Sequence, residues 1–169
     1  MDDSNIRTST SMADVSAKPA TRRRALASGR IVLGEKAFTM VLNRQLPKGD
    51  ALAMAEIAGI QGAKQTPALI PLCHPISLNR AAIFCVPRHE DHSIEVFCLA
   101  EIDERTGVEM EALCGLSIAQ LTIWDLSKPI NAALEICDMR LLYKSGGKRG
   151  TWTHPGGLSK EAEAILAGQ

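Results

Sequence analysis

Four short stretches of this chain concentrate residues that move protons or hold anions. In Leu46-Pro47-Lys48-Gly49-Asp50 a cation sits at a turn just before an expected helix start. Helix N-termini attract negative charge, and a lysine there would strengthen an anion site, although a simply solvated lysine fits as well. In Ile70-Pro71-Leu72-Cys73-His74-Pro75 two prolines fix the backbone around a thiol and an imidazole. That suits proton transfer or ligand hydrogen bonding, or else a buried connector whose histidine bonds a carbonyl. A Cys73–His74 nucleophile pair is a third option, though adjacent side chains point differently. The third stretch pairs Thr106-Gly107-Val108-Glu109-Met110-Glu111 with Trp124-Asp125-Leu126-Ser127-Lys128. On a helix Asp125 and Lys128 lie about 60° apart in angle and one turn apart along the axis, so they can form an ion pair or flank a substrate as acid and base. Leu121 lies between them in angle, so this stripe is expected to be partly apolar and buried. The fourth stretch, Lys144-Ser145-Gly146-Gly147-Lys148-Arg149-Gly150, can wrap a phosphate because glycines let backbone N–H groups approach. It lacks the Walker spacing, and a flexible basic linker is the alternative.

Collected, these stretches offer Lys48, His74, Glu109, Glu111, Asp125, Lys128, Lys144 and Lys148. The mixture of lysines, carboxylates and one histidine suits an anionic, polyphosphate-bearing substrate undergoing acid–base rearrangement. Spacing adds a constraint. Glu111 and Asp125 are about 21 Å apart along a helix axis. Either the ligand is long, or one site takes one end of this helix from a second subunit. Both favour an oligomer with interfacial sites around a nucleotide-sized ligand.

The elements that must position these residues follow from patterning. Residues 1–27 read as a largely irregular segment ending in the basic cluster Arg22-Arg23-Arg24, 28–152 as a single domain and 153–169 as a C-terminal tail. A short strand is expected over Arg30–Leu33 and a helix over Glu35–Gln45, stopped by Pro47. Asp50 should cap a second helix, Ala51–Gln65, with Ala53, Ile57 and Ile60 on one face. Ala82–Val86 and the alternating Ile94, Val96, Cys98, Ala100 and Ile102 predict an antiparallel hairpin, with Glu95, Glu101 and Asp103 on its other face. Thr106 and Glu109 fit a capping box before a long helix, Gly107–Lys128, with Met110, Leu113, Ser117, Leu121 and Trp124 along one stripe. A strand over Leu134–Tyr143 and a short helix over Lys160–Leu166 complete the chain. The order β-α-α-β-β-α-β is α+β: a ferredoxin-like antiparallel sheet with helices packed on one face, the other face bare or partly covered.

Composition narrows the function classes. Nineteen basic residues balance nineteen acidic ones, so net charge gives no support to a general nucleic-acid or membrane-surface role. Aromatics at 4% are too few for base-stacking RNA recognition. No apolar run approaches the ~18 residues of a membrane span, and the polar start lacks a secretory core. Five cysteines without a C-x-x-C pair give no local zinc or dithiol signature. They read as reduced, mostly buried thiols of a cytoplasmic protein.

The motifs also carry a resemblance. Met12-Ala13-Asp14-Val15-Ser16, Lys48-Gly49-Asp50, Ala58-Gly59-Ile60, Ile70–Pro75, Thr106–Leu113, Asp125-x-x-Lys128 and Lys144–Gly150, in this order, resemble the cyclic pyranopterin monophosphate synthase family (MoaC) of molybdenum-cofactor biosynthesis over about Met12–Trp152. The resemblance implies a lyase that converts 3′,8-cyclo-7,8-dihydroguanosine 5′-triphosphate, supplied by a radical enzyme, to cyclic pyranopterin monophosphate plus diphosphate. It implies a ferredoxin-like fold and a homohexamer, a trimer of dimers, with active sites between subunits. It assigns catalysis to Asp125 and Lys128. It makes Leu72, Cys73, His74, Glu109, Met110 and Glu111 line the substrate, and Lys48, Lys144, Lys148 and Arg23 hold the triphosphate. It brings no cofactor and no protein-held metal, with Mg²⁺ riding on the substrate phosphates the one open metal role. No nucleic acid or membrane is expected as a partner. The chain departs from the family at Leu126-Ser127 and at Pro129, where alanine is usual, and Pro129 is expected to kink the last helical turn. A non-catalytic nucleotide-binding regulatory module of ferredoxin-like fold is the alternative.

Overall fold

The strand pattern read from residues 93–104 organises the molecule. In the computed structural model, which describes residues 10–168, that stretch is the strand β3 (Ser93–Glu104). Its residues Ile94, Val96, Cys98, Ala100 and Ile102 enter the main core, while Phe97 and Leu99 point to the opposite face with Glu95 and Glu101. β3 pairs with β2 (Arg80–Arg88) as the expected hairpin and with β1 (Thr21–Val32) on its other side. β1 in turn pairs with β4 (Glu135–Ser145), and β4 with the two-residue β5 (Trp152–Thr153). The sheet is antiparallel throughout, in the order β2-β3-β1-β4-β5. Its first four strands have the ferredoxin-like order.

β1 is central and twelve residues long, not a four-residue strand. Thr21–Ala27, expected to be irregular, pairs with β3 throughout and with β4 from Arg24 onward, and Ala25, Leu26 and Ala27 are fully buried. The β3 ladder runs the whole length of β1, so even the run Arg22-Arg23-Arg24 is held extended. Residues 1–9 of the expected irregular segment lie outside the described residues.

Three helices cover one face: α1 (Glu35–Leu42), α2 (Ala51–Lys64) and α4 (Glu109–Ser127). α1 ends three residues before the expected Gln45, because Arg44 takes a left-handed conformation and the Gln45 N–H closes back on the Met40 carbonyl. Asp50 caps α2 as expected, its Oδ1 accepting from the N–H groups of Leu52 and Ala53 at 3.1 Å. A one-turn helix α3 (Thr66–Leu69), unanticipated, follows with Pro67 in its first turn. The capping box does not form: Val108 is the N-cap of α4 and no side chain caps it. Glu109 is engaged elsewhere, with Lys144. Pro129 does not kink the helix, since Lys128 keeps helical angles and its N–H bonds the Trp124 carbonyl at 2.8 Å. The proline lies beyond Ser127, the last residue of α4, and the N–H groups of Ile130 and Asn131 after it still turn back onto the Ser127 carbonyl, at 2.9 and 3.3 Å.

The two helical stripes read from large apolar residues are not the buried faces: Ile60, Leu113 and Trp124 reach the edge of the core, while other members face outward. Ile57 is 71% exposed and Leu121 53%. The buried faces carry small residues instead: Ala51, Ala55, Gly59, Gly62 and Ala63 on α2, and Ala112, Gly115 and Ala119 with Leu116 and Ile123 on α4. Small residues let two helix backbones touch, and a Cβ on Gly59 would lie 2.9 Å from the Gly115 carbonyl oxygen. A fourth long helix, α5 (Lys160–Ala167), lies on the opposite face over Leu26, Phe97, Leu99 and Leu142, so that face is partly covered.

The close contact is testable. A Cβ at position 115 would lie 2.7 Å from Cys98 Sγ and 3.0 Å from the Gly59 carbonyl oxygen. Gly115→Ala should therefore lower the stability measured by urea unfolding by about 1–3 kcal/mol, the usual cost of overpacking. An unchanged midpoint would show that α2 and α4 separate freely.

Candidate functional site

The C-terminal end of α4 carries the first cluster. Lys48 stands on the loop from α1 to α2, which Leu46 anchors in the core and Gly49 turns at φ +109°. Its Nζ donates to Asp125 Oδ2 at 2.8 Å and to the Asp125 carbonyl at 3.2 Å. From the other side Lys128 Nζ meets Asp125 Oδ1 at 2.7 Å. One carboxylate thus holds two ammonium groups, each side chain about half exposed. The hydrogen bond from Lys128, then that from Lys48, pulls the Asp125 carboxyl down to about 2. Such a group is an anion at any physiological pH and a weak base. It orients and balances cations, and the ammonium groups are left to carry protons. The stripe expected to bury Asp125 and Lys128 is open, with Leu121 facing outward between them.

The N-terminal end of α4 carries the second cluster. Glu109 in its first turn accepts from Lys144 Nζ at 2.9 Å. Beside this pair opens a cavity of about 540 Å³, walled by Arg23, Arg24, Lys144, Lys148 and the glycine-rich loop. Arg23 is fixed by donating from Nε to the Glu104 carbonyl at 3.2 Å and from Nη2 to the Arg105 carbonyl at 3.1 Å. Gly146 and Gly147, at φ +100° and +70°, lie flat on this arginine pair. A Cβ at 146 would run into the Arg22 carbonyl, and one at 147 into the Arg23 guanidinium. The loop that the sequence offered as either a phosphate cradle or a linker is therefore packed in place. Lys18 and Arg24 also line the cavity and were not singled out from sequence. Arg24 was legible only as a member of the basic cluster Arg22-Arg23-Arg24 and Lys18 only as a cation near it, and patterning alone could not place either beside the glycine-rich loop.

His74 and its neighbours form a third group at the same end. His74 Nε2 donates to the Ala13 carbonyl at 2.8 Å. Glu111 is only 3% exposed, and burial, reinforced by Glu109, raises its carboxyl above the ordinary range while His74 opposes the shift. The Cys73 thiol is pushed up by burial and then by Glu111, which disfavours thiolate. His74 Nε2 is taken by Ala13, and no hydrogen bond joins the Cys73 thiol to the His74 ring, so the pair is not assembled as a nucleophile and base. Leu72 and Met110 present partly exposed apolar surface, 48% and 37%.

The chain thus brings Lys48 to Asp125 and Lys128, and Arg23 to Glu109, Lys144 and Lys148. It does not bring the two groups together, because about 21 Å of one rigid helix separates them. Lys48, which the resemblance gives to the triphosphate together with Lys144, sits at the Asp125 end within one chain. Among the described residues no group of three or more His, Cys, Asp or Glu side chains is placed to hold a metal ion. No helix there is long and apolar enough to cross a membrane.

The twofold clamp on Asp125 makes a titration prediction. Side-chain NMR should find its midpoint near 2. Lys128→Ala should move it upward toward the ordinary carboxylate range, since the largest source of the depression is gone. An unmoved midpoint would mean that Lys128 does not hold the carboxylate in solution.

Known proteins share this arrangement of sequence. Residues 12–147 match the MoaC family. The chain is 44% identical over 142 residues to a cyclic pyranopterin monophosphate synthase of Rhodospirillum rubrum, covering 84% of this chain and 86% of that protein. It is 43% identical over 145 residues to the protein of that name from a Nocardioides species, covering 85% and 89%. It is 50% identical over 138 residues to a molybdenum cofactor biosynthesis bifunctional protein of Chlorobaculum tepidum, covering 81% of this chain and 43% of that longer protein. With most of its length matched by the family and by relatives above 40% identity, the chain belongs to the MoaC family.

Proposed function

We propose that this protein is a cyclic pyranopterin monophosphate synthase, a lyase of molybdenum-cofactor biosynthesis. Its substrate would be 3′,8-cyclo-7,8-dihydroguanosine 5′-triphosphate, made by a radical enzyme upstream, and its products cyclic pyranopterin monophosphate and diphosphate. The observation that carries this reading is the Lys48–Asp125–Lys128 cluster at one end of α4, with a cation-walled cavity at the other.

In this reading Lys128 is the general acid and base that opens the purine-derived ring and rebuilds the pterin. Asp125, ionised throughout, orients Lys128 and balances its charge. Lys48, which shares that carboxylate, acts at the same end. Closing a cyclic phosphate from a triphosphate requires a substrate hydroxyl to attack the α-phosphorus while diphosphate leaves. Lys144, Lys148 and Arg23 neutralise the charge that develops on the departing diphosphate. Leu72, Cys73, His74, Glu109, Met110 and Glu111 line the remainder of the substrate. The reading calls for no resident cofactor and leaves to magnesium only a place on the substrate phosphates.

A single active site needs both ends of α4, so the ends come from different subunits of a homohexamer built as a trimer of dimers. The outward apolar residues Met54, Ile57 and Leu121 on α2 and α4 support such self-association. The free cysteines, Cys73, Cys85, Cys98, Cys114 and Cys137, fit a reducing cytoplasm.

The test supplies the cyclised GTP intermediate to purified protein and follows diphosphate and pterin product. Lys128→Ala should lower turnover by a factor on the order of 10²–10⁴, the usual weight of a general acid–base group, while sedimentation still shows hexamers. Full activity in this variant removes Lys128 from the chemistry. Tight binding without product in the wild type would turn the reading to a regulatory nucleotide-binding module.

A further inference from the structure

Residues 152–168 lie beyond the family match, yet they fold back onto β4 and onto the sheet face opposite α2 and α4. β5 pairs with β4 so that Trp152 faces Lys144 and Thr153 faces Tyr143, and the His154 N–H continues the ladder to the Leu142 carbonyl at 2.8 Å. The glycine-rich loop is thereby closed at both ends, as the tip of a β4–β5 hairpin. A turn through His154–Gly157 then leads to Ser159, which caps α5 by accepting from the Ala162 N–H at 3.2 Å.

α5 is fastened at three points. Ala162 and Ile165 pack on Leu26, Phe97, Leu99 and Leu142. Arg88 donates to Glu161 Oε1 at 2.7 Å, and this guanidinium holds the Glu161 carboxyl down at about 2. At the far end, Arg24 Nη2 donates to the Leu166 carbonyl in the last turn at 2.9 Å, a favourable place for a cation. The same Arg24 bonds the buried Glu101 through Nε at 2.6 Å, stands opposite Ser145 in the β1–β4 register and lines the cavity. The C-terminus of α5 is thus tied to the strand position from which the loop departs.

We propose that the β5–α5 segment is a clamp that holds the Lys144–Gly150 loop in its anion-binding shape, with Arg24 the positioning residue that links α5 to the base of the loop. The ligand of the clamped loop is a polyphosphate, which rests on the functional reading above. A preordered loop binds without paying for its own ordering, so the clamp acts on substrate affinity and not on the proton transfers at Lys128.

The experiment uses the full-length chain with Ile165→Asp, which undocks α5, and Glu161→Gln, which only loosens it and so guards against a misfolded first variant. Three quantities are measured: amide hydrogen exchange of residues 145–151, calorimetric affinity for inorganic triphosphate, and KM against kcat. Ile165→Asp should speed loop exchange and weaken triphosphate binding by about tenfold, with Glu161→Gln in the same direction by about two- to threefold, as expected for local ordering of a loop. KM should rise with them while kcat stays within about twofold. Folded variants with wild-type loop exchange and wild-type KM overturn the clamp, as does a fall in melting temperature that leaves both unmoved. If the wild type neither binds triphosphate nor turns over, the functional reading fails, whereas the exchange data still decide the clamp.

Discussion

Gly59 and Gly115 bring the backbones of α2 and α4 into direct contact, and the two ends of the α4 site depend on that approach. With no side chain between them, α4 sits low against the sheet, its Gly115 beside Cys98 of β3. Its first turn is then within reach of Lys144 on β4, and its last turn within reach of Lys48 from the loop that precedes α2. A wider helix pair would lift both ends away from their partners. The same economy of side chains leaves Met54, Ile57 and Leu121 of α2 and α4 on the outer surface, where another subunit can cover them.

Charge is distributed by the same geometry. β1 is central, so its arginines point alternately toward the two faces at one end of the sheet. Arg23 turns toward the loop and is pinned by backbone carbonyls, while Arg24 meets buried Glu101 and the end of α5. At the other end of α4, Asp125 is held by two lysines and so remains an anion well below neutral pH. In the proposed function this places the polyphosphate-holding groups and the proton-handling groups at opposite ends of one helix. That separation makes the oligomer part of the chemistry in the proposed function.

Much of this was legible in sequence. Period-two alternation in β3, the polar turn of the β2–β3 hairpin and the Asp50 cap depend on local backbone geometry, and they appear where expected. The pairing of Asp125 with Lys128 follows from helical angle alone, and it forms. The length of α4 already required that its two ends serve different parts of a ligand or different subunits. The run of glycines and cations at 144–150 likewise advertised a turn able to approach an anion.

Other features were decided by partners distant in the chain. The extent of β1 depends on pairing with β3, joined by β4 from Arg24 onward, so no local propensity of Arg22–Arg24 could reveal it. Which stripe of α2 and α4 is buried depends on how closely two helices approach, and small residues win there although hydrophobicity ranks larger ones first. Lys48 went to Asp125, and Lys18 and Arg24 to the cavity, through contacts that no spacing encodes. Local sequence determined the elements, their order and the charged pairs within a turn of one another. The tertiary structure decided which faces are buried and which charges meet across the chain, because both depend on close approach between segments far apart in sequence.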